Sequence, residues 1–177
     1  RDSDNYYQNT EYVSNSMLNN LTGKSPEYFR FMMDNPQPAT PAMKFGSAFH
    51  MNSLQPQEFN KNYAVSPKFD RRTKQGKEDY AKFIKSNVLK TTISDNDYIL
   101  IEQMTDKLMR DSDAKTLISR GTKERIIVWN NEEYDINCKG MLDVYRPDQQ
   151  IIVDLKTTQD SSYYGFASSV RKFKYYK

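Results

Sequence analysis

The residues best able to do chemistry lie in Gly140-Met141-Leu142-Asp143 and, after a short turn, Val153-Asp154-Leu155-Lys156. Asp154 and Lys156 are two positions apart, so on an extended chain their side chains leave the same face. Ile151, Ile152 and Val153 are a β-branched run that predicts a strand over 151–157. The segment Tyr134–Tyr145, which carries Asp143 at its end, also reads as extended. Arg146-Pro147-Asp148-Gln149-Gln150 between them is turn chemistry. The hairpin this predicts puts Asp143 next to Asp154. Two carboxylates that close repel unless positive charge lies between them. A hard divalent cation such as Mg²⁺, which takes oxygen ligands, would supply it. Lys156 beside such an ion could orient water or neutralise an oxyanion. The set suits metal-assisted hydrolysis of a phosphodiester.

The competing reading is a charged hairpin face that binds nothing. Acid-x-lysine triplets are common in a chain this rich in both types, and Asp113-Ala114-Lys115 is another. That one lies in a polar segment with helical patterning and reads as a solvated face. Asp143, upstream and across a turn from an apolar strand, is what sets the second triplet apart.

These residues need elements to hold them. The 177-residue length predicts one domain, residues 1–177, with a mainly helical part over 1–119 and a strand meander with a following helix over 120–177. Asn5–Tyr12 reads as irregular. Ser14 or Ser16 caps a short helix through Leu21. Ser25-Pro26-Glu27 opens a second helix, which Asn35-Pro36 ends. A third runs from Ala42 to Leu54, with Phe45, Ala48, Phe49 and Asn52 on one face, and Pro56 closes it. Tyr63–Val65 is extended, Lys68–Lys77 is a basic loop, and Gly76–Leu89 is helical. Ser94 and Asp97 fit a capping box ahead of a helix bearing Ile101, Thr105 and Leu108. Asp113–Ser119 adds a turn or two. Glu124–Trp129, Tyr134–Tyr145 and Ile151–Thr157 then make a three-stranded antiparallel meander. Asp160 or Ser161 starts a last helix through Tyr164, Phe166, Val170 and Phe173.

Composition removes several function classes. Hydrophobic residues make up 37% of the chain and its net charge is +3. Such a chain is polar, mildly basic and compatible with a phosphate-bearing partner. No apolar run has the length of a membrane span, and no secretory signal is read. Cys138 is the single cysteine, which excludes an internal disulfide, a thiolate zinc cage and a four-cysteine iron–sulfur cluster. At an alternating strand position it reads as a small buried hydrophobe, and a cytoplasmic location is the simplest expectation.

The order helix, three-strand meander with acid…acid-x-lysine, then helix resembles the PD-(D/E)XK nuclease core, an α+β (restriction-endonuclease-like) fold. The chain further resembles the exodeoxyribonuclease VIII (RecE-type) nucleases of phages and prophages. Gly46-Ser-Ala-Phe-His50 is similar to that family's Gly-x-x-x-His helix, and residues 66–77 to the loop and helix start after it. Gly121-Thr-Lys-Glu124 with Ile126–Trp129 resembles the strand bearing its first acid. Gly140–Asp143 and Val153–Thr158 resemble its two core motifs. The resemblance implies hydrolysis of the 5′-ended strand of duplex DNA with Mg²⁺ or Mn²⁺ in the bacterial cell. It also implies a closed homo-oligomeric ring acting on double-stranded ends, with a single-strand annealing protein as partner and a role in recombination. In such nucleases the last helix runs on into a Gln-x-x-x-Tyr element and a further strand; the chain given stops first, which predicts a core truncated at its C-terminus.

The resemblance implies a site in which Asp143, Asp154, His50 and the Leu155 carbonyl hold the metal. Lys156 would position the attacking water, and Glu124 would be a ligand or a water-mediated contact. For Glu124 a plain strand-end acid is an equal alternative. Without the motif His50, the only histidine, would read as a satisfied helix residue. Arg71, Arg72 and Lys74 could grip phosphates, or form a solvated basic loop. Thr157 and Thr158 could touch the scissile phosphate. Tyr163, Tyr164, Tyr175 and Tyr176 could stack on bases, though aromatics at helical spacing more often form core. Two function classes follow: a metal-dependent deoxyribonuclease, and a non-catalytic DNA-binding or assembly fragment that keeps the fold. A restriction-type endonuclease would share the site and differ in the ends it needs.

Overall fold

The structure, a computed structural model, describes residues 6, 7, 9–173 and 175; Asn5, Tyr176 and Lys177 lie outside the described residues. The helical part opens with α1 (Asn15–Thr22) and α2 (Pro26–Asp34), capped by Ser14 and Ser25 through bonds from the Met17 and Tyr28 N–H groups. Helix α3 (Pro41–Leu54) starts at proline behind Thr40, whose hydroxyl accepts from the Met43 N–H at 3.3 Å. Pro56 does close α3, but it also opens a short helix not expected from the sequence, α4 (Pro56–Asn62). Proline suits that first position because its missing N–H would be unpaired there in any case. Then come β1 (Tyr63–Ser66), α5 (Lys74–Ser86), β2 (Thr91–Ser94), α6 (Asp95–Arg110) and α7 (Ser112–Ser119). Strand β2, also unforeseen, pairs in parallel with β1, Tyr63 opposite Thr91 and Ser66 opposite Ser94. The Ser94 hydroxyl caps α6 through the Asp97 N–H at 3.1 Å.

The meander is present as expected: β3 (Thr122–Asn131), β4 (Ile136–Arg146) and β5 (Ile151–Val153), antiparallel in the order β3-β4-β5. Helix α8 (Tyr163–Phe173) follows. Several boundaries shift, with β3 and β4 each moved by a residue or more and α8 starting at Tyr163 rather than at Asp160 or Ser161, and one shift bears on the site. The strand expected over 151–157 ends at Val153, and Asp154–Thr158 continue irregularly. The cause is a side chain of the neighbouring strand: the Leu155 N–H donates to the Asp143 carboxylate at 2.7 Å, where the ladder would need a backbone carbonyl.

Strand β4 is long and β5 pairs only with its end, Val144–Arg146. Part of the remaining edge is taken by the N-terminal segment. Val13 bridges Cys138 in parallel, donating to the Asn137 carbonyl at 2.8 Å and accepting from the Lys139 N–H at 2.9 Å. Cys138 is buried, as a small hydrophobe would be. Lys139 is buried too, and its ammonium donates to the Tyr6 and Asn9 carbonyls, which fixes that segment over the sheet.

The core sits between α3 and the strands. Ala48, Phe49, Ile101 and Ile118 from the helices meet Val144 of β4 and Leu155 just past β5. The Asn52 amide and Ser53 hydroxyl both meet the Thr105 hydroxyl, at 3.1 and 3.0 Å, which fastens α3 to α6. Val144 and Leu155 lie directly next to Asp143 and flanked by Asp154 and Lys156, so the core lies immediately behind the acids.

Two glycines separate close approach from mere proximity. A Cβ on Gly121, at the entry to β3, would fall 2.2 Å from the Val144 Cγ1. A Cβ on Gly46 in α3 would lie 3.5 Å from the Thr157 hydroxyl, an ordinary contact. Gly121→Ala should therefore lower unfolding stability by about 1–3 kcal/mol through overpacking. Gly46→Ala should be neutral or raise it by up to about 1 kcal/mol through helix propensity. Urea denaturation of the two variants checks both signs.

Candidate active site

His50 ends the third turn of α3 and turns towards β4. Its Nδ1 lies 3.5 Å from Asp143 Oδ2, with the two side chains 24% and 14% exposed. The same Asp143 oxygen accepts the Leu155 N–H. With Nδ1 facing a carboxylate, Nε2 is the lone-pair nitrogen of the neutral ring. Burial pulls the imidazole down, but Asp143, by hydrogen bond and charge, outweighs it and leaves His50 above its ordinary value. Burial pushes Asp143 up, and His50 together with the Leu155 N–H holds it below the ordinary carboxylate range.

Glu124 stands in β3 between the Lys123–Val144 and Arg125–Leu142 pairs, so the register sets it opposite Asp143. Its φ is 48°, left-handed backbone that a residue with a side chain adopts only at a cost of about 1–2 kcal/mol. Glu124, Asp143, His50 and Gly46 line one cavity of about 610 Å³. Tyr7 lines it as well, and nothing in the sequence singled that residue out. Burial, then the charges of Glu124 and Asp143, push its phenol up. The signal was absent because Tyr7 reaches the acids only through the fold of the N-terminal segment.

Asp154 and Lys156 do leave the chain on one side, although not from a regular strand. Lys156 Nζ lies 2.6 Å from Asp154 Oδ2, with side chains 37% and 56% exposed. An ion pair this open is worth at most about 1 kcal/mol, so Asp154 can turn to another cation cheaply. Among the described residues no three His, Cys, Asp or Glu side chains converge into a ready-made metal cage. The donor set itself, one imidazole with carboxylates and a preset Asp143 oxygen, fits a divalent cation.

The other candidates lie elsewhere. Arg71 sits over the Tyr80 ring at 4.8 Å, Arg72 pairs with Asp70 at 3.0 Å, and Lys74 begins α5; none lines the cavity. Thr157 abuts Gly46, whereas Thr158 donates to the Asp160 carbonyl at 3.1 Å and so serves the local turn. Tyr163 and Tyr164 are exposed rather than core, and Tyr175 stacks on Phe173 beneath the Lys156 ammonium.

Residues 14–177 match the family described as a PDDEXK-like domain of unknown function (DUF3799). The chain belongs to this family. PDDEXK nucleases generally use divalent metal ions. A solved structure described as a "Putative exonuclease" from Eubacterium rectale is similar in fold. Its TM-score is 0.59 at 21% identity, and the match covers 98% of this chain and 62% of that one. The PDDEXK-like chain thus spans less than two thirds of the length of that neighbour. No curated protein matches it. Among the described residues no helix is long and apolar enough to cross a membrane.

The His50–Asp143 pair carries a pH signature. His50, raised, contributes stability that is whole below its ordinary 6.5 and is lost as pH rises through its folded value. Asp143, depressed, contributes stability present above its ordinary 3.8 and lost as pH falls through its folded value. The pair is therefore at full strength between those two ordinary values. As the only histidine, His50 gives one imidazole resonance. In metal-free protein its midpoint should exceed 6.5, and in Asp143→Asn it should fall below 6.5, because burial, the largest influence, then acts with the Lys156 charge against that of Asp154 alone. NMR titration reads both.

Proposed function

We propose that this PDDEXK-like chain is a metal-dependent deoxyribonuclease that uses Mg²⁺ or Mn²⁺ on phosphodiesters. The observation that carries the reading is the cavity shared by His50, Asp143 and Glu124; Asp154 and Lys156 do not line it, but their charges are close enough to act on His50. Asp143, Asp154 and His50, with the Leu155 carbonyl, would hold the ion. Bound there, the ion would polarise the phosphate and favour hydroxide at neutral pH. Asp143 is held in place by the Leu155 N–H and stays ionised at neutral pH. Lys156, two residues from Asp154, would turn its ammonium to an attacking water or a developing negative charge. The finer reading, a 5′→3′ exonuclease of the exodeoxyribonuclease VIII type acting on duplex ends, rests on the motif order. A ring assembly and a single-strand annealing partner belong to that same reading, as do phosphate contacts from Arg71, Arg72, Lys74 and Thr157.

One observation favours the other class, a DNA-binding module without cleavage: Asp154 is closed onto Lys156 rather than turned to Asp143. Calorimetric titration with Mn²⁺ and digestion of 5′-phosphorylated linear duplex divide the two. The nuclease reading expects binding, and cleavage that falls more than ~100-fold in Asp143→Asn and Asp154→Asn, beyond the usual cost of disturbing a ligand's neighbour. Lys156→Ala should keep metal affinity and lose roughly 10²–10⁴ in rate. Wild-type protein that binds no Mn²⁺ and cuts nothing, yet retards the duplex in a gel-shift assay, would favour the binding module instead.

A further inference from the structure

A second cavity, of about 460 Å³, lies between the N-terminal segment and β3, and Glu124 belongs to the linings of both. Its walls combine two kinds of group. Tyr6 and Tyr12 supply aromatic surface, and Lys123 and Arg125 supply cationic charge on either side of Glu124. The wall is built rather than incidental. Lys139 is 5% exposed and spends its ammonium on the Tyr6 and Asn9 carbonyls, with the Tyr6 ring 4.8 Å from it. That face of Tyr6 is therefore taken, which leaves Tyr12 as the platform. One donor of the Lys123 ammonium is held by the Ser119 carbonyl at 3.2 Å.

We propose that this second cavity takes one unstacked nucleotide of a single DNA strand, its base on Tyr12 and its phosphate at Lys123 and Arg125. The proposal rests on the nuclease reading for its choice of DNA. Aromatic surface beside lysine and arginine is the combination by which proteins hold single strands without reading sequence. The volume suits a single nucleotide and excludes a duplex. The Glu124 carboxylate repels phosphate, so the backbone must lie at the cationic end with the base at the Tyr12 end. A strand that leaves this cavity past Glu124 enters the one lined by His50 and Asp143. The subsite would thus separate and orient a strand end immediately beside the acids.

The test uses the full chain with EDTA and a 5′-phosphorylated single-stranded tetranucleotide carrying 2-aminopurine, followed by fluorescence. Binding with quenching is expected. Tyr12→Leu should weaken it by roughly 5-fold to 150-fold, the range for loss of one stacked base, while Tyr12→Phe keeps it. Arg125→Ala should weaken it and reduce the salt slope by about 1. No binding by wild type, or Tyr12→Leu and Arg125→Ala both binding as wild type does, overturns the subsite. If wild type cleaves no duplex yet these variants behave as expected, the nuclease reading falls and the subsite stands.

Discussion

The hydrogen bond from the Leu155 N–H to the Asp143 carboxylate organises this structure. It takes a donor that the strand ladder would otherwise have used, so pairing stops at Val153 and the chain turns irregular at Asp154. It fixes the Asp143 oxygen that also faces His50. It does so between Val144 and Leu155, both packed into the core. Carboxylate, strand end and core are therefore one mechanical unit. A buried acid that accepts a backbone N–H keeps its charge despite burial, which an acid on a floppy hairpin would have no means to do.

The two acid–base pairs at the site differ in stiffness. His50 and Asp143 are largely withdrawn from water and held by α3 and β4, elements locked together through the core. Asp154 and Lys156 are open to solvent on a segment without ladder bonds. One pair gives a fixed anchor and the other a limb that can swing. In the proposed nuclease, capture of a cation and adjustment to a phosphate would use both. Glu124, strained into left-handed backbone opposite Asp143, adds charge to the fixed half.

Much of this was legible in the residues. Caps at Ser14, Ser25 and Ser94 and the β-branched runs located most helices and all three meander strands, because local backbone bonding decides those boundaries. The neighbourhood of Asp143 and Asp154 followed from the turn between them. What escaped notice was settled by long-range contact. β2 is four residues that become a strand only by lying beside β1. The early end of β5 depends on a side chain from the neighbouring strand. Tyr7 has no spacing that relates it to the acids. The exposure of Tyr163 and Tyr164 likewise follows from where α8 lies and not from its pattern.

The N-terminal segment bears on where this domain can be said to begin. The family match starts at residue 14, one position after Val13. Yet Val13 closes part of the β4 edge, and the carbonyls of Tyr6 and Asn9 are what satisfy the buried Lys139 ammonium. A fragment cut at the family boundary would carry an unsatisfied interior cation and a bare strand edge. Bare edges recruit strands from other molecules. Contacts from Tyr6, Asn9 and Val13 thus reach into the sheet from outside the family boundary, and insolubility of such a fragment would report on the missing strap and not on the PDDEXK-like core.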